Sequence, residues 1–518
     1  MVLNWQRRYQ ALSTAAIVAS TLIVWAAGPS TPTPPPPECD GTTGASRIEG
    51  LPYMPPPVVA VPGARGMLQI MSGSSPGPII AGSTSYTCLL GGFHSSFGDE
   101  ESILDVVGIA CTVRNIFLNL DIAPGLGAGW TFTVRVNQVD TAVVITILDL
   151  NTFGSYTGPD LDLAVGNVVS VRIDPIGVPA STVFNHFSYE LENGDSTQAI
   201  FFGASSAGTI NTSTPRFSGV LNHLSQWERV VDGAPETVWN INPLDGVING
   251  YRLVFTRGLP NGAVLSCTFT IYKSTDNGAT FVAQDGSGGT PDTRLVAAGV
   301  GHLSQQAVTF SLPTSRGDLL YMRSDVGSTG LAQWSVGTCL FFVSSEANHF
   351  PICGNSNGTM NRTIPQYVPI FDPQSVTYGN VETGDHISDA GYTDFSLGRE
   401  IVRVSTPPGA GNSWDFITRL NGISQTLQVN ISGDTDTVGE DVIHSVPLTF
   451  GDTFGLQNVP TSSPIAARSI WGYVQATAGG ASCPGETNGV RDDGLPYSSL
   501  TPAPCEGLGV TGVTKTGV

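Results

Sequence analysis

Among the pairs of neighbouring carboxylates in this chain, Asp99 with Glu100 and Glu440 with Asp441 are ones that could be considered as acid and base for glycoside hydrolysis. That chemistry needs two carboxyl groups facing each other across a sugar, whereas adjacent acids in a loop are ordinarily solvated. Two G-x-S-x-G matches, "GSSPG" at 73–77 and "GNSNG" at 354–358, raise a serine nucleophile. A nucleophile elbow requires a strand before the serine and a helix after it. Pro76 and Pro78 break up the first match, and "TMNRTIPQ" after the second has no helical pattern. Seven histidines, at 94, 186, 223, 302, 349, 386 and 444, include no H-x-x-x-H spacing. No set of residues converges on named catalytic roles, so the expectation is a protein that is not an enzyme.

Short motifs point to turns. "STDNGATF", Ser274 to Phe281, matches the Asp-box pattern and resembles the hairpin turns of sialidase propeller blades. It occurs once, whereas a propeller repeats its blade signature every ~40–50 residues. In a turn, Asp276 would accept backbone N–H groups and Gly278 would supply a positive φ. Arg316-Gly317-Asp318 spells the integrin tripeptide, and a loop turn accounts for it equally well. The acidic loops "DGSGGTPD" (285–292) and "SGDTDTVGED" (432–441) are the places where Ca²⁺ could bind, although neither completes a twelve-residue calcium loop. No other cofactor is expected. Sequons at Asn211, Asn357, Asn361 and Asn430 would mark surface positions if the host glycosylates.

Composition bounds the partners. Charged residues are 12% of 518, roughly half of the ~25% usual for soluble domains. Lys273 and Lys515 are the two lysines, and the formal net charge is −20, which argues against a nucleic-acid backbone as ligand. Eight cysteines (39, 88, 111, 267, 339, 353, 483 and 505) contain no C-x-x-C pair. An even count suits disulfides in an oxidising compartment, with Cys483 and Cys505, which bracket a Pro/Gly-rich tail, as the first pair to test.

The N-terminus places Arg7 and Arg8 ahead of an uncharged, mostly apolar run from Ala11 to Gly28. Residues 1–28 read as a signal peptide or a retained signal-anchor, and 11–28 are the chain's route to a membrane if uncleaved. "PSTPTPPPPEC" and "LPYMPPPVVAVPG" follow, so 29–78 reads as a stiff, proline-rich stalk or linker.

Beyond the stalk the chain alternates apolar and polar residues with period two, rich in Val, Ile, Thr, Phe and Tyr, and shows no respectable helix. One pattern recurs three times: "IFLNLDIAPGLGAGWTFTVRVNQVDTAVVITI", "RLVFTRGLPNGAVLSCTFTIYKSTDNGATFVA" and "IVRVSTPPGAGNSWDFITRLNGISQTLQVNI". The first and third copies hold a strand, a Pro-Gly turn, an aromatic-led strand ending in Arg-x-Asn, a tight turn, and another strand; the second follows the same plan with a longer turn. Each then reaches a landmark turn, Gly166-Asn167, Gly317-Asp318 or Gly451-Asp452, 151 and 134 residues apart. That period is domain-sized. In the third copy Trp414, Phe416, Leu427 and Val429 would point inward. The expected fold is all-β: three tandem antiparallel β-sandwiches, jelly-roll-like or immunoglobulin-like, at 79–195, 196–345 and 346–478, followed by a cysteine-containing tail at 479–518.

Through the three motif copies, residues of roughly 80–480 resemble the modular β-sandwich proteins of virion surfaces: phage or large-virus spikes, tail appendages and minor capsid or decoration proteins. The resemblance implies a structural or attachment protein of a virion or cell surface that self-associates or binds other surface proteins, with a glycan or host receptor as ligand. A secreted bacterial carbohydrate-binding or adhesin-like protein is the other reading, with Trp227, Trp239 and Trp334 as sugar-stacking candidates.

Overall fold

The computed structural model describes residues 68–79, 81–90, 98–203, 215–221, 235–256, 266–298, 303–326, 336–356, 358–371, 378–382, 388–389, 394–449 and 451–477. They all lie in one compact unit, Ala60–Val518. The segment 1–28, most of the stalk, Cys39, Cys483, Cys505 and the tail lie outside the described residues. Among the described residues there are strands and three short 3-10 turns, so the fold is all-β.

The first sandwich contains β1 (Leu68–Ile79), β2 (Ser85–Thr87), β3 (Asp105–Val106), β4 (Cys111–Leu120) and β5 (Gly125–Val136). It continues with β6 (Val139–Asp149), β7 (Phe153–Tyr156), β8 (Leu161–Leu163), β9 (Val168–Ile176) and β10 (Thr182–Glu192). The second holds β11 (Gln198–Gly203), β12 (Arg216–Ser218), β13 (Asn240–Ile241), β14 (Gly246–Phe255) and β15 (Ser266–Ser274). After these come β16 (Val282–Ala283), β17 (Leu295–Ala298), β18 (Gln305–Thr314), β19 (Leu319–Val326) and β20 (Val336–Ser344). In the third are β21 (His349–Asn355), β22 (Gln366–Val368), β23 (Ser388–Asp389), β24 (Phe395–Val404) and β25 (Gly409–Leu420). It ends with β26 (Ile423–Gly433), β27 (Val438–Leu448), β28 (Thr453–Thr461) and β29 (Ser469–Thr477).

All three share one topology. Their first sheets run β1-β10-β4-β7, β11-β20-β14-β18 and β21-β29-β24-β27; their second sheets run β2-β9-β5-β6, β12-β19-β15-β16 and β22-β28-β25-β26. Counting eight principal strands per sandwich, the orders are 1-8-3-6 and 2-7-4-5, which is the jelly roll rather than the immunoglobulin arrangement. The short strands β3, β13 and β23 extend the second sheets beside β9, β19 and β28.

Period-two alternation makes these strands and fills the space between the sheets. Phe132, Phe269 and Phe416 occupy the same register position in the three copies, and each is buried. Trp130 and Trp414 lead two of the strands, with Cys267 in the corresponding place. Trp414, Phe416, Leu427 and Val429 are all buried in the third core, and fully burying such a side chain stabilises by about 1.5–3 kcal/mol. Strands β4, β14 and β24 each carry a bulge, at Asn115, Gly250 and Arg399, where φ is positive.

One correction concerns the stalk. Residues 68–79 form β1, paired antiparallel with β10, so the first sandwich begins inside the stretch read as linker. Gly73, Gly77, Pro76 and Pro78 interrupt the alternation there, and the pairing absorbs them with two register shifts at an edge strand. For the cysteines inside the sandwiches, as distinct from Cys483 and Cys505, the disulfide expectation also changes. Cys111, Cys267, Cys339 and Cys353 are buried free thiols, and Cys88 is buried too. They pack as small hydrophobes, and burial pushes the Cys111 thiol up to about 12.

The sandwiches meet through repeated seams. Strand β3 packs against β20 and β14 of the second sandwich, β13 against β29 and β21 of the third, and β23 against β10 and β1 of the first. The second sandwich therefore receives the first, the third receives the second, and the first receives the third: a closed, head-to-tail ring within one chain. In the first seam a Cβ on Gly108 would stand 2.3 Å from the Phe341 ring and 2.9 Å from Cys339 Sγ. At the matching place in the second seam Pro243 projects, and Gly472 makes room, its Cβ position lying 2.7 Å from the Ile241 carbonyl oxygen and 3.2 Å from Pro243 Cδ. Because a backbone carbonyl cannot step aside, Gly472→Ala is expected to destabilise the chain by about 1–3 kcal/mol through overpacking. Urea unfolding of the two proteins checks this, and an unchanged midpoint would show that the seam is loose.

Candidate functional site

The landmark turns are built alike. Gly166, Gly317 and Gly451 have φ of 89, 88 and 81°, the left-handed region that glycine tolerates. The following Asn167, Asp318 and Asp452 each accept the amide three residues back, from Ala164, Ser315 and Thr449, at 2.8 Å. Only the middle turn spells the integrin tripeptide, and its charges are engaged internally. Arg316 Nε donates to Glu440 at 2.9 Å and its Nη1 to the Pro243 carbonyl at 3.2 Å, while Asp318 also accepts Lys273 at 3.1 Å. Arg316 thus ties the second sandwich to the third.

The Asp-box turn does the same. Asp276 Oδ1 accepts the Ser274 hydroxyl at 2.7 Å and the Thr280 amide at 2.9 Å, and Thr280 Oγ1 donates to its other oxygen. The Thr280 and Ser274 hydroxyls, then the Thr280 amide, bring the Asp276 carboxyl down to about 2. The next residue, Asn277, has φ 56° and presents its side-chain oxygen to Arg403 Nε at 2.8 Å and its carbonyl to Arg403 Nη2 at 3.1 Å. Asn277 Nδ2 donates to Thr437 Oγ1 at 2.7 Å. A Cβ on Gly278, whose φ is 82°, would come within 2.9 Å of the Trp239 ring. Arg403 lies over that ring with its Cζ 4.9 Å from the centroid, a cation–π contact across the seam. Trp239 is thereby buried and is not a sugar platform; Trp227 and Trp334 lie outside the described residues.

The carboxylate pairs do not face each other across a cleft. Asp99 accepts the Glu101 amide at 3.1 Å, and Glu100 accepts Arg135 Nε at 2.9 Å and Ser170 Oγ at 2.6 Å. Glu440 is held by Arg316, and Asp441 Oδ2 binds His444 Nδ1 at 2.8 Å. Of the G-x-S-x-G matches, the first lies inside β1; Ser356 of the second is buried and bonds Ser469 O at 3.2 Å. Its Asn357, like the sequon Asn211, is outside the described residues, whereas Asn361 is half-buried and Asn430 exposed. In the acidic loops Asp292 is taken by Arg294 at 2.9 Å and Asp285 by Ser287. Among the described residues no group of three or more His, Cys, Asp or Glu is placed to hold a metal ion. No helix among them is long and apolar enough to cross a membrane.

Two features escaped sequence reading. Arg403 sits in a strand whose alternation gives no sign of a neighbouring sandwich. Glu400 is the other. At the position where Ile116 and Tyr251 fill the first two cores, the third carries a fully buried carboxyl, 3.3 Å from the Thr418 hydroxyl. Burial pushes Glu400 well above its ordinary 4.5, assisted by the charge of Asp441 and partly offset by bonds to Tyr473 and Thr418.

Taken by its strands, the chain is a ring of three jelly rolls with polar locks at its seams. No family model matches it, and no curated protein does. Among solved structures it is similar to a chain in "Crystal structure of the T13 IBDV viral particle reveals a missing link in icosahedral viruses evolution", at 10% identity over 80% of this chain and 78% of that one, with a TM-score of 0.15. It is also similar to infectious bursal disease virus VP2 in a subviral particle, at 11% identity over 80% and 81%, with a TM-score of 0.13. At TM-scores this low the two arrangements do not superpose as wholes.

The buried carboxyl makes a pH prediction. Glu400 stays protonated in the fold while the unfolded chain ionises it above about 4.5. Its contribution is therefore fully present below that pH and is lost as pH rises towards the raised folded value, by about 1.4 kcal/mol per pH unit. Unfolding free energies of wild type and Glu400→Gln are expected to diverge with rising pH in favour of the variant; parallel curves from pH 4 to 8 would refute a buried neutral acid.

Proposed function

We propose that the chain is a non-enzymatic structural or attachment protein of a virion or cell surface, in which three jelly rolls joined covalently act as one assembled tile. The observation that carries this reading is the closed ring. Side chains of the kind that serve catalysis or ligand binding are engaged here in turns and seams: Asp276 shapes its own turn, while Arg316, Glu440, Asn277 and Arg403 hold sandwiches together. A closed heterologous ring gives three-fold-like geometry without three separate subunits meeting. The low content of charged residues, 12%, suits a surface that meets other proteins.

Its partners are then other copies of itself or other surface proteins, with host recognition through exposed loops. Quantitative mass spectrometry of purified particles against culture supernatant tests the assignment. The chain is expected at a fixed copy number per particle; finding it only as free protein in the supernatant would exclude a virion role.

A further inference from the structure

We propose that β6 is a pairing edge through which a second copy of this chain joins the first, sheet edge to sheet edge. This goes beyond the virion reading and concerns the isolated chain, so either can fail while the other stands.

Strand β6 ends the order β2-β9-β5-β6 and, among the described strands, is hydrogen-bonded to β5 alone. Its outer backbone edge offers N–H and C=O groups to an incoming strand. Between Asp140 and Asp149 it reads "TAVVITIL", eight uncharged residues without proline. Val143, Ile145 and Ile147 point into the core, while Ala142, Val144, Thr146 and Leu148 face outward and are exposed. The apolar stripe runs on past the strand: a Cβ on Gly129 would meet Leu148 Cδ2 at 2.4 Å and Ile176 Cδ1 at 3.5 Å, so these side chains flank it. At the tip Leu126, at the start of β5, is 81% exposed and Val178, in the loop after β9, 89%, with the two segments joined by the Ala180 amide donating to the Pro124 carbonyl at 2.8 Å.

The third sandwich supplies an internal control. Its β26 is the same end strand of the same sheet, and register matches Val144 with Gln428 and Leu148 with Ser432. There the outward residues are Thr426, Gln428, Asn430 and Ser432, all polar. The fold thus does not require an apolar outer stripe; β6 carries one where its sister strand does not.

A second copy is the occupant that fits. Antiparallel pairing of β6 with itself, Val144 opposite Thr146 and Ala142 opposite Leu148, matches outward face to outward face about a two-fold axis. Charge agrees as well. Asp140 at one end is bound by Arg135 and, at 2.6 Å, by Arg172, so its charge is engaged within the chain, and the eight residues that would pair, Thr141 to Leu148, carry none. A bilayer fits less well, because the stripe contains no Trp, Tyr, Lys or Arg to anchor at a lipid interface.

The test is sedimentation equilibrium of the full chain over a concentration series, with circular dichroism to verify folding. Wild type is expected to reach the mass of two chains. Val144→Gln with Leu148→Ser installs what β26 already carries, and it should raise the dissociation constant about tenfold or more. Val144→Lys should do the same, and Gln428→Lys in β26 should leave it unchanged. A wild type that stays monomeric, β6 variants that dimerise as wild type does, or an equal effect of Gln428→Lys would each overturn the proposal. So would a monomer that floats with phosphatidylcholine vesicles and loses that binding on Leu126→Ser with Val178→Ser, which would assign the stripe to lipid.

Discussion

A β-sandwich has an outer face on each sheet, and an apolar outer face must be covered. That constraint organises this molecule. Ile200, Phe202, Val254 and Cys339 belong to strands of the second sandwich, yet they pack into the hydrophobic cluster of the first. Ile401 and Ile470 of the third sandwich pack in the same way with Trp239, Ile241 and Tyr321 of the second. In each seam a short strand at one end of a sandwich is laid across the first sheet of the next. Close approach depends on a small residue on one side or the other: Gly108 in the first seam, Gly472 in the second. The sandwiches are individually complete in topology and mutually dependent in burial.

The third seam differs in chemistry. Where the second sandwich presents Phe341, the first has Glu190, and Ser188 stands where Cys339 does; both polar residues are buried. Arg114 and Glu192 form an ion pair on the same strands. A Gln amide marks two of the three seams. Gln69 grips the Ile200 peptide at 2.8 and 3.2 Å, and Gln475, in its satisfied orientation, grips the Ile70 peptide at 3.2 Å twice. The corresponding residue in the third sandwich is Pro351, which has no N–H to give. A polar closing seam is physically reasonable. The first two seams already fix where the third sandwich stands relative to the first, so closure is intramolecular and needs little affinity of its own.

Sequence alone disclosed a good part of this. Alternation announced the strands, and the landmark Gly-Asx pairs announced three turns that share one hydrogen-bond pattern. The Arg-x-Asn endings of two hairpins were visible too, but their meaning was not. Arg135 and Arg419 reach Glu100 and Glu382, and Asn137 and Asn421 accept the Val168 and Thr453 amides at 3.1 and 2.9 Å. Those glutamates sit in loops, where an acid looks solvated. Strand β1 was hidden because glycine and proline interrupt its alternation. The seams were hidden for a deeper reason: a residue that faces a neighbouring sandwich has the same period-two position as one that faces water, so Arg403 and Gly472 carry no local mark.

Three copies of one topology allow a separation that a single domain does not. A position that keeps its character in all three, such as Phe132, Phe269 and Phe416, is demanded by the sandwich itself. Others change character at constant geometry. Ile116, Tyr251 and Glu400 fill one core position with an alkyl group, a phenol bonded to the Thr293 carbonyl at 2.8 Å, and a buried acid, so that position is set by each core's own packing. Outer positions that change character answer instead to what lies outside. Phe341 and Val254 are apolar on an outer face because the first sandwich covers them. The same logic applies to Val144 and Leu148, apolar and exposed among the described residues while Gln428 and Ser432 at the matching places are polar: the sandwich itself does not demand their character, and the pairing proposed for β6 would account for it.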